Sequence, residues 1–196
     1  MSAAAPPLSP HGSEASSAWV QRWSHLVRPG GTVLDVACGR GRHAHWFYKR
    51  NHPLVLVDQA QEAIDSIAIA PESCEKVVAD IENGPWPFEG RQFDAVVVTN
   101  YLWRPLMPTL LASLAAGGVL IYETFTQGNE TVGKPSRPDF LLRPGELLEI
   151  CRDLRVVAYE DGFQEAPDRF TQGIVAVREP TPATGVPRYR LDRRTG

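Results

Sequence analysis

Residues 33–44, VLDVACGRGRHA, constrain the fold more than any other stretch of the chain. Val33, Leu34 and Val36 have the β-branched or apolar character of a strand buried on both faces, and the carboxylate of Asp35 sits near its end. Gly39 and Gly41 then let the backbone turn sharply and approach a ligand closely, and Arg42 onward reads as a helix over 42–50. Strand, glycine turn and helix open an α/β sheet that binds ligands beyond the carboxyl ends of its strands.

Two kinds of cofactor suit such a turn. Residues 39–44, GRGRHA, fit the G-x-G-x-x-A form of the dinucleotide fingerprint. Asp35 argues against that reading, because it lies four residues before Gly39, where a dinucleotide places its pyrophosphate. A carboxylate beside a diphosphate is repulsive and poorly screened in a partly dehydrated cleft. S-adenosyl-L-methionine has no phosphate and carries an ammonium and a sulfonium, so the same carboxylate attracts it. An NAD(P)-linked oxidoreductase on the same glycine turn is the rival enzyme class. A non-catalytic S-adenosylmethionine-binding regulatory module is the rival outside enzymes.

Leu54, Val55, Leu56 and Val57 form a second short buried strand ending at Asp58, 23 residues after Asp35. A carboxylate there accepts both ribose hydroxyls of a bound adenosine and has acceptor positions left to cap a helix over 59–70. Residues 76–79 read as a third strand followed by Asp80 and Ile81. Residues 93–100, FDAVVVTN, read as an apolar fourth strand whose end opens toward the ligand with Asn100, Tyr101, Leu102, Trp103 and Arg104. Tyr101 or Trp103 would there offer an aromatic face to a sulfonium. A leucine-rich helix through 106–114, stopped by Gly117 and Gly118, leads to a fifth strand at 119–125. His43 and His45 sit near the start of the helix over 42–50 and are expected first as partner-bonded or solvated histidines, with one of them reaching the active site as the alternative.

The pattern D-x-x-x-G-x-G after a strand resembles motif I of the class I, Rossmann-like, S-adenosyl-L-methionine-dependent methyltransferases, with Ala37 standing where that motif has its first glycine. The resemblance covers roughly residues 19–178, and residues 140–148, FLLRPGELL, are loosely similar to the small bacterial tellurite-resistance methyltransferases. It implies a mostly parallel seven-stranded sheet with an antiparallel C-terminal hairpin and helices on both faces. It also implies a cofactor site drawn from Asp35, Ala37, Cys38, Gly39, Gly41, Asp58, Gln59, Asp80, Ile81, Asn100 and Tyr101. In such enzymes the position held by Asp80 bonds the adenine amine, and the next residue offers its amide to the ring. The N-P-P-Y type motif of methyltransferases acting on the amino groups of adenine or glutamine is replaced here by Asn100-Tyr101-Leu102-Trp103, which speaks against those acceptors.

The polar stretch 126–143, with Pro135 and Pro138, is expected as a substrate lid; Arg104, Lys134 and Arg137 are candidates to hold an anionic acceptor, with ordinary surface charge as the alternative, and Trp103 is a further substrate candidate. Arg143-Pro144-Gly145-Glu146 begins a helix, and 155–159 and 174–178 read as two final strands joined by an acidic loop. Ahead of them, Trp19, Val20, Trp23, Leu26 and Val27 share one face of a helix over 14–27. The methyltransferase domain is expected over 14–178, between a disordered leader at 1–13 and a disordered basic tail at 179–196 that carries Arg188, Arg190, Arg193 and Arg194.

The formal net charge of −3 gives no global field to recruit nucleic acid. Three cysteines without paired spacing indicate neither a disulfide framework nor a metal site, and with no signal-like start or transmembrane run they favour the cytoplasm. With no recognition module in view, the expected acceptor is a small molecule methylated by direct inline transfer, for which the protein mainly positions the reactants and excludes water. No catalytic base is assigned.

Overall fold

A computed structural model describes residues 15–180 and 185–191; the expected leader, Arg193 and Arg194 lie outside the described residues. The apolar runs pair edge to edge in one sheet of seven strands: β1 (Val33–Val36), β2 (Leu54–Asp58), β3 (Cys74–Val78), β4 (Phe93–Thr99), β5 (Leu114–Phe125), β6 (Arg155–Gln164) and β7 (Arg169–Val177). Their order is β3-β2-β1-β4-β5-β7-β6. From β3 to β5 neighbours run parallel, while β7 is antiparallel to both β5 and β6. The glycine turn after β1 therefore sits beside the point where the strand order reverses, and there the carboxyl ends splay open.

Side chains alternate between the two faces of the sheet. Val33, Ala95, Val97, Val119 and Ile121 pack with α1 (Ala18–Trp23), α2 (Arg42–Tyr48) and α3 (Gln61–Asp65). Leu34, Val36, Val96, Val98, Leu120 and Tyr122 pack with α4 (Met107–Ala112) and α5 (Glu146–Ile150). The same alternation carries Asp35, Thr99 and Glu123 onto the face covered by α1 and α2, at the carboxyl ends of three strands. Among the described residues no helix is long and apolar enough to cross a membrane.

Several boundaries differ from the sequence expectation. The first helix ends at Trp23 and continues as one 3-10 turn, and α3 is five residues long, after which the Ile69 amide turns back onto the Ile67 carbonyl and both isoleucines are buried. Gly117 and Gly118 do not stop α4; they lie inside β5, where the pairing jumps from Phe93–Leu114 to Ala95–Val119. Gly117 has φ +80°, and a Cβ on Gly118 would lie 2.8 Å from the carbonyl oxygens of Ala115 and Phe93. The acidic stretch expected as a loop is strand: Glu160 pairs with Gly173 and Asp161 with Gln172. An edge strand tolerates charges on its exposed side, which hides its alternation. In the tail, Tyr189 is half-buried against the α1 face and the Arg190 carbonyl lies 3.0 Å from His25 Nε2, and the contacts that hold the described part of the tail to the body include these two.

Candidate functional site

The turn after β1 alternates into left-handed backbone at Ala37 (φ +52°), Gly39 (φ +53°) and Gly41 (φ +75°). The alanine thus adopts the conformation for which glycine is usual at this position. Gly41 is also confined by packing, since a Cβ there would lie 3.0 Å from Ile67, whereas Gly39 faces open space. Asp58, at the end of β2, holds the turn: Oδ2 accepts from the Gly39 amide at 2.8 Å and Oδ1 from the Ala60 amide at 2.9 Å. It closes a turn onto Ala60 but does not cap α3, whose N-cap is Ala60 without a side-chain bond, and it has lone pairs left for a ligand. Asp80 accepts from Asn83 Nδ2 and from the Asn83 and Glu82 amides, each at 3.0 Å, which holds its carboxyl below the usual range.

Two adjoining cavities follow. A cleft of about 80 Å³ is lined by Ala37, Asp58, Gln59, Asp80, Ile81 and Tyr101, with Ala79 and Glu82. A second, of about 270 Å³, is lined by Ala37, Cys38, Gly39 and Asn100, together with Arg40, Arg42, His43 and Thr99. Nine of the eleven sequence-predicted cofactor residues line one or both. The other two lie behind the wall: Gly41 starts α2, and Asp35 is only 2% exposed. Asp35 Oδ2 has no hydrogen-bond partner among the described residues. Burial pushes its carboxyl up to about 7, against the lowering effect of Arg42 and with the help of Asp58.

His43, also 2% exposed, sits between two elements. Its Nε2 lies 3.3 Å from the Ser17 amide and its Nδ1 3.4 Å from Thr99 Oγ1. Burial, aided by Arg42, brings its pKa down to about 3, so it is neutral at working pH. Glu123, at the end of β5, accepts from Ser17 Oγ at 3.2 and 3.4 Å, and burial raises its pKa against the pull of Arg169, Ser17 and Arg42. His45 is bonded to the Gly41 carbonyl, 2.8 Å from Nδ1.

The expected acceptor-side residues are not gathered together. Arg104 Nε and Nη2 grip Glu146 at 2.7 and 3.0 Å, while Nη1 and Nη2 donate to the carbonyls of Asp139 and Leu141 at 2.9 and 2.8 Å. Its donors strap the 126–143 segment to α5 and do not face an acceptor. Within that segment are two 3-10 turns, Asn129–Thr131 and Pro138–Phe140. Lys134 is exposed, Arg137 pairs with Asp139 at 3.0 Å on the surface, and Trp103 is half-buried against the core beneath α4 and α5.

Residues 33–117, which contain the glycine turn, both cavities and the strands that build them, match the model of a family described as a methyltransferase domain. This stretch is a methyltransferase domain. No curated protein matches the sequence. Among solved structures the chain is similar to TehB from Haemophilus influenzae, at 17% identity and a TM-score of 0.71, over 87% of this chain and 64% of that one. It is similar to a TehB-like SAM-dependent methyltransferase from Corynebacterium glutamicum, at 17% identity and a TM-score of 0.61, over 85% and 90% of the two chains. The glycopeptide N-methyltransferase MtfA, solved with S-adenosyl-L-homocysteine, matches at 16% identity and a TM-score of 0.60, over 85% and 91%. At such identities the likeness is one of fold: the mixed seven-stranded sheet with its antiparallel C-terminal hairpin is that of the class I methyltransferases.

Ser17, Arg42, Thr99 and Glu123 carried no motif, and the sequence offered His43 first as a partner-bonded or solvated histidine, with an active-site role as the alternative. The one usable signal was strand parity. Counting by twos from Val33 and Val97 puts Asp35 and Thr99 on the same face, where α2 brings His43 and Arg42.

Proposed function

We propose that this protein is an S-adenosyl-L-methionine-dependent methyltransferase that acts by direct transfer on a small-molecule acceptor. The observation that carries the reading is the pair of cavities joined at Ala37, with Asp58 between the glycine turn and the smaller cleft. Asp58 has acceptor capacity for ribose hydroxyls, and Asp80 and Ile81 stand beside it at the place for adenine. Asp35 lines neither cavity, so its support for a ligand bearing an ammonium and a sulfonium is a through-space attraction from beneath the turn when it is ionised.

Bound S-adenosylmethionine would supply a methyl carbon activated by the adjacent positive sulfur. The chain's task is then to orient that carbon and keep water away. Tyr122 helps: its hydroxyl donates to the Tyr101 carbonyl at 2.7 Å and fixes the connection that forms one wall. His43, with a pKa near 3, is a poor general base, and no base is assigned. A net charge of −3 supports a small acceptor over a nucleic acid, and the buried free thiols Cys38, Cys74 and Cys151 support a cytoplasmic setting.

Asp58→Ala should bind S-adenosylmethionine about ten- to a hundredfold more weakly, the loss of hydrogen bonds to a charged acceptor, while its circular dichroism stays that of the wild type. Calorimetry reads the affinity. Undiminished binding by the variant would remove Asp58 from the ribose role, and tight NADH binding without S-adenosylmethionine binding would favour the oxidoreductase. Incubation with labelled methyl donor and a panel of small acceptors separates turnover from binding alone.

A further inference from the structure

At the end of the sheet opposite the glycine turn lies a further cavity, of about 580 Å³, whose charged lining is Arg152, Arg155 and Arg178 with Asp153 and Glu179. Val177 pairs with both Val119 and Arg155, which sets the start of β6 and the end of β7 beside the beginning of β5, away from the carboxyl ends that carry the turn. Arg178 is fixed there by the fold itself. Its amide donates to the Gly118 carbonyl at 3.0 Å and its carbonyl accepts from the Gly117 amide at 2.7 Å, which ties it to the bulge in β5. Its Nη2 donates at 2.8 Å to the carbonyl of Leu111, in the last turn of α4. That is the only nitrogen of the guanidinium with a partner among the described residues: Nε is shut away from solvent with no acceptor, and no carboxylate pairs with the group.

Buried N–H donors are nearly always satisfied, so a charged one left over at a cavity wall marks a place for an acceptor. The neighbours add to it. Arg155 spends Nε on Glu179 Oε1 at 3.1 Å, while Arg152 stands 3.8 Å from Asp153, beyond hydrogen-bond distance, in a pair whose side chains are 80% and 93% exposed. Three guanidiniums against two carboxylates leave one positive charge in excess, on a residue whose backbone and side chain are already ordered before anything binds. A guanidinium fork suits carboxylate and phosphate alike, but a phosphoryl group has three terminal oxygens and nearly two charges with which to meet three forks. We propose that this cavity is a second ligand site, for a small phosphate-bearing anion, with Arg178 as its anchor and Arg152 and Arg155 closing on the anion from the rim. The site stands apart from the S-adenosylmethionine reading, because it shares no residue with the two cavities at the turn.

Calorimetric titration of the full chain with inorganic phosphate, glycerol phosphate and malonate, at about 0.15 M ionic strength so that exposed charges are screened, tests the site. Both phosphates should bind at least about tenfold more tightly than malonate. Equal affinity for the two identifies the phosphoryl group alone as the ligand, and tighter binding of the ester identifies an organic phosphate whose body shares the cavity. Arg178→Lys, which keeps one charge and a donor for Leu111, should weaken both about tenfold, and Arg152→Gln about threefold. In a proton–nitrogen correlation spectrum the Arg178 Nε–H signal should shift on adding phosphate and hold still with malonate. Arg152 is 80% exposed, so its variant keeps the fold and tests the site even where Arg178→Lys melts earlier. Phosphate bound no more tightly than malonate, phosphate affinity unchanged in both variants, or an unmoved Nε–H signal would each overturn the proposal.

Discussion

Asp35 and His43 are both buried ionisable groups beside the glycine turn, yet pH acts on them in opposite senses. The folded Asp35 carboxyl titrates at about 7 against an ordinary value of 3.8, so across that window the folded state holds a proton that the unfolded chain has released. Its contribution to stability therefore falls as pH rises from about 4 to about 7. His43 runs the other way: at about 3 folded against 6.5 ordinarily, it favours the folded state above 6.5, and that support is lost as pH falls toward 3. Asp35→Asn should flatten the first dependence and stabilise the protein at pH 8 by on the order of 2 kcal/mol in urea melts, while weakening S-adenosylmethionine binding. A variant no more stable than wild type at pH 8 would mean that the buried carboxylate is otherwise compensated. His43→Gln should flatten the acid limb in the same melts and leave the neutral limb unchanged.

Among the elements, the polar 126–143 segment owes its path to one guanidinium. Glu146 is 4% exposed; burial opposes its ionisation, and the hydrogen bonds from Arg104 and the Arg143 amide outweigh that, holding the carboxyl below its usual range. Arg104 is itself partly open to solvent, which tempers the energy of the pair. Arg104→Met should leave a buried carboxylate half-paired, cost about 2 kcal/mol, and speed hydrogen exchange at Phe140, Leu141 and Leu142 more than at the strand amides. Adding Glu146→Gln should recover part of the loss, since the two side chains form one unit. Unchanged exchange in Arg104→Met would show that the bridge between Thr126 and Leu142, with the Thr126 hydroxyl on the Leu142 carbonyl and the backbone bonds from Leu142 to Phe125 and from Gln127 to Leu142, suffices to hold the segment. An arginine on a polar stretch looks the same in sequence whether it meets a substrate or a buried glutamate 42 residues away.

For the molecule as a whole, a ligand that bridges the ends of β1, β2 and β4 should stabilise every element those strands carry. S-adenosylmethionine or S-adenosylhomocysteine at about a hundred times its dissociation constant should add about 2.7 kcal/mol and raise the melting temperature by roughly 5–10 °C, with no shift from NADH, as read by differential scanning fluorimetry. An equal shift from NADH would argue for a diphosphate in the turn. What the chain itself determined is local: β1, its alternating left-handed turn and the carboxylates at Asp35, Asp58 and Asp80 were legible because backbone conformation and strand burial are written in neighbouring residues. Helix ends, the bulge at Gly117 and Gly118 and the length of the last hairpin were decided by packing between segments, which overrides local preference. Only the tertiary structure joined Ser17, His43, Thr99 and Glu123, from four elements, into one buried polar chain. It also turned Arg104 away from the site. Hydrogen bonds between residues distant in sequence depend on where the sheet and its helices meet, and no local pattern records that.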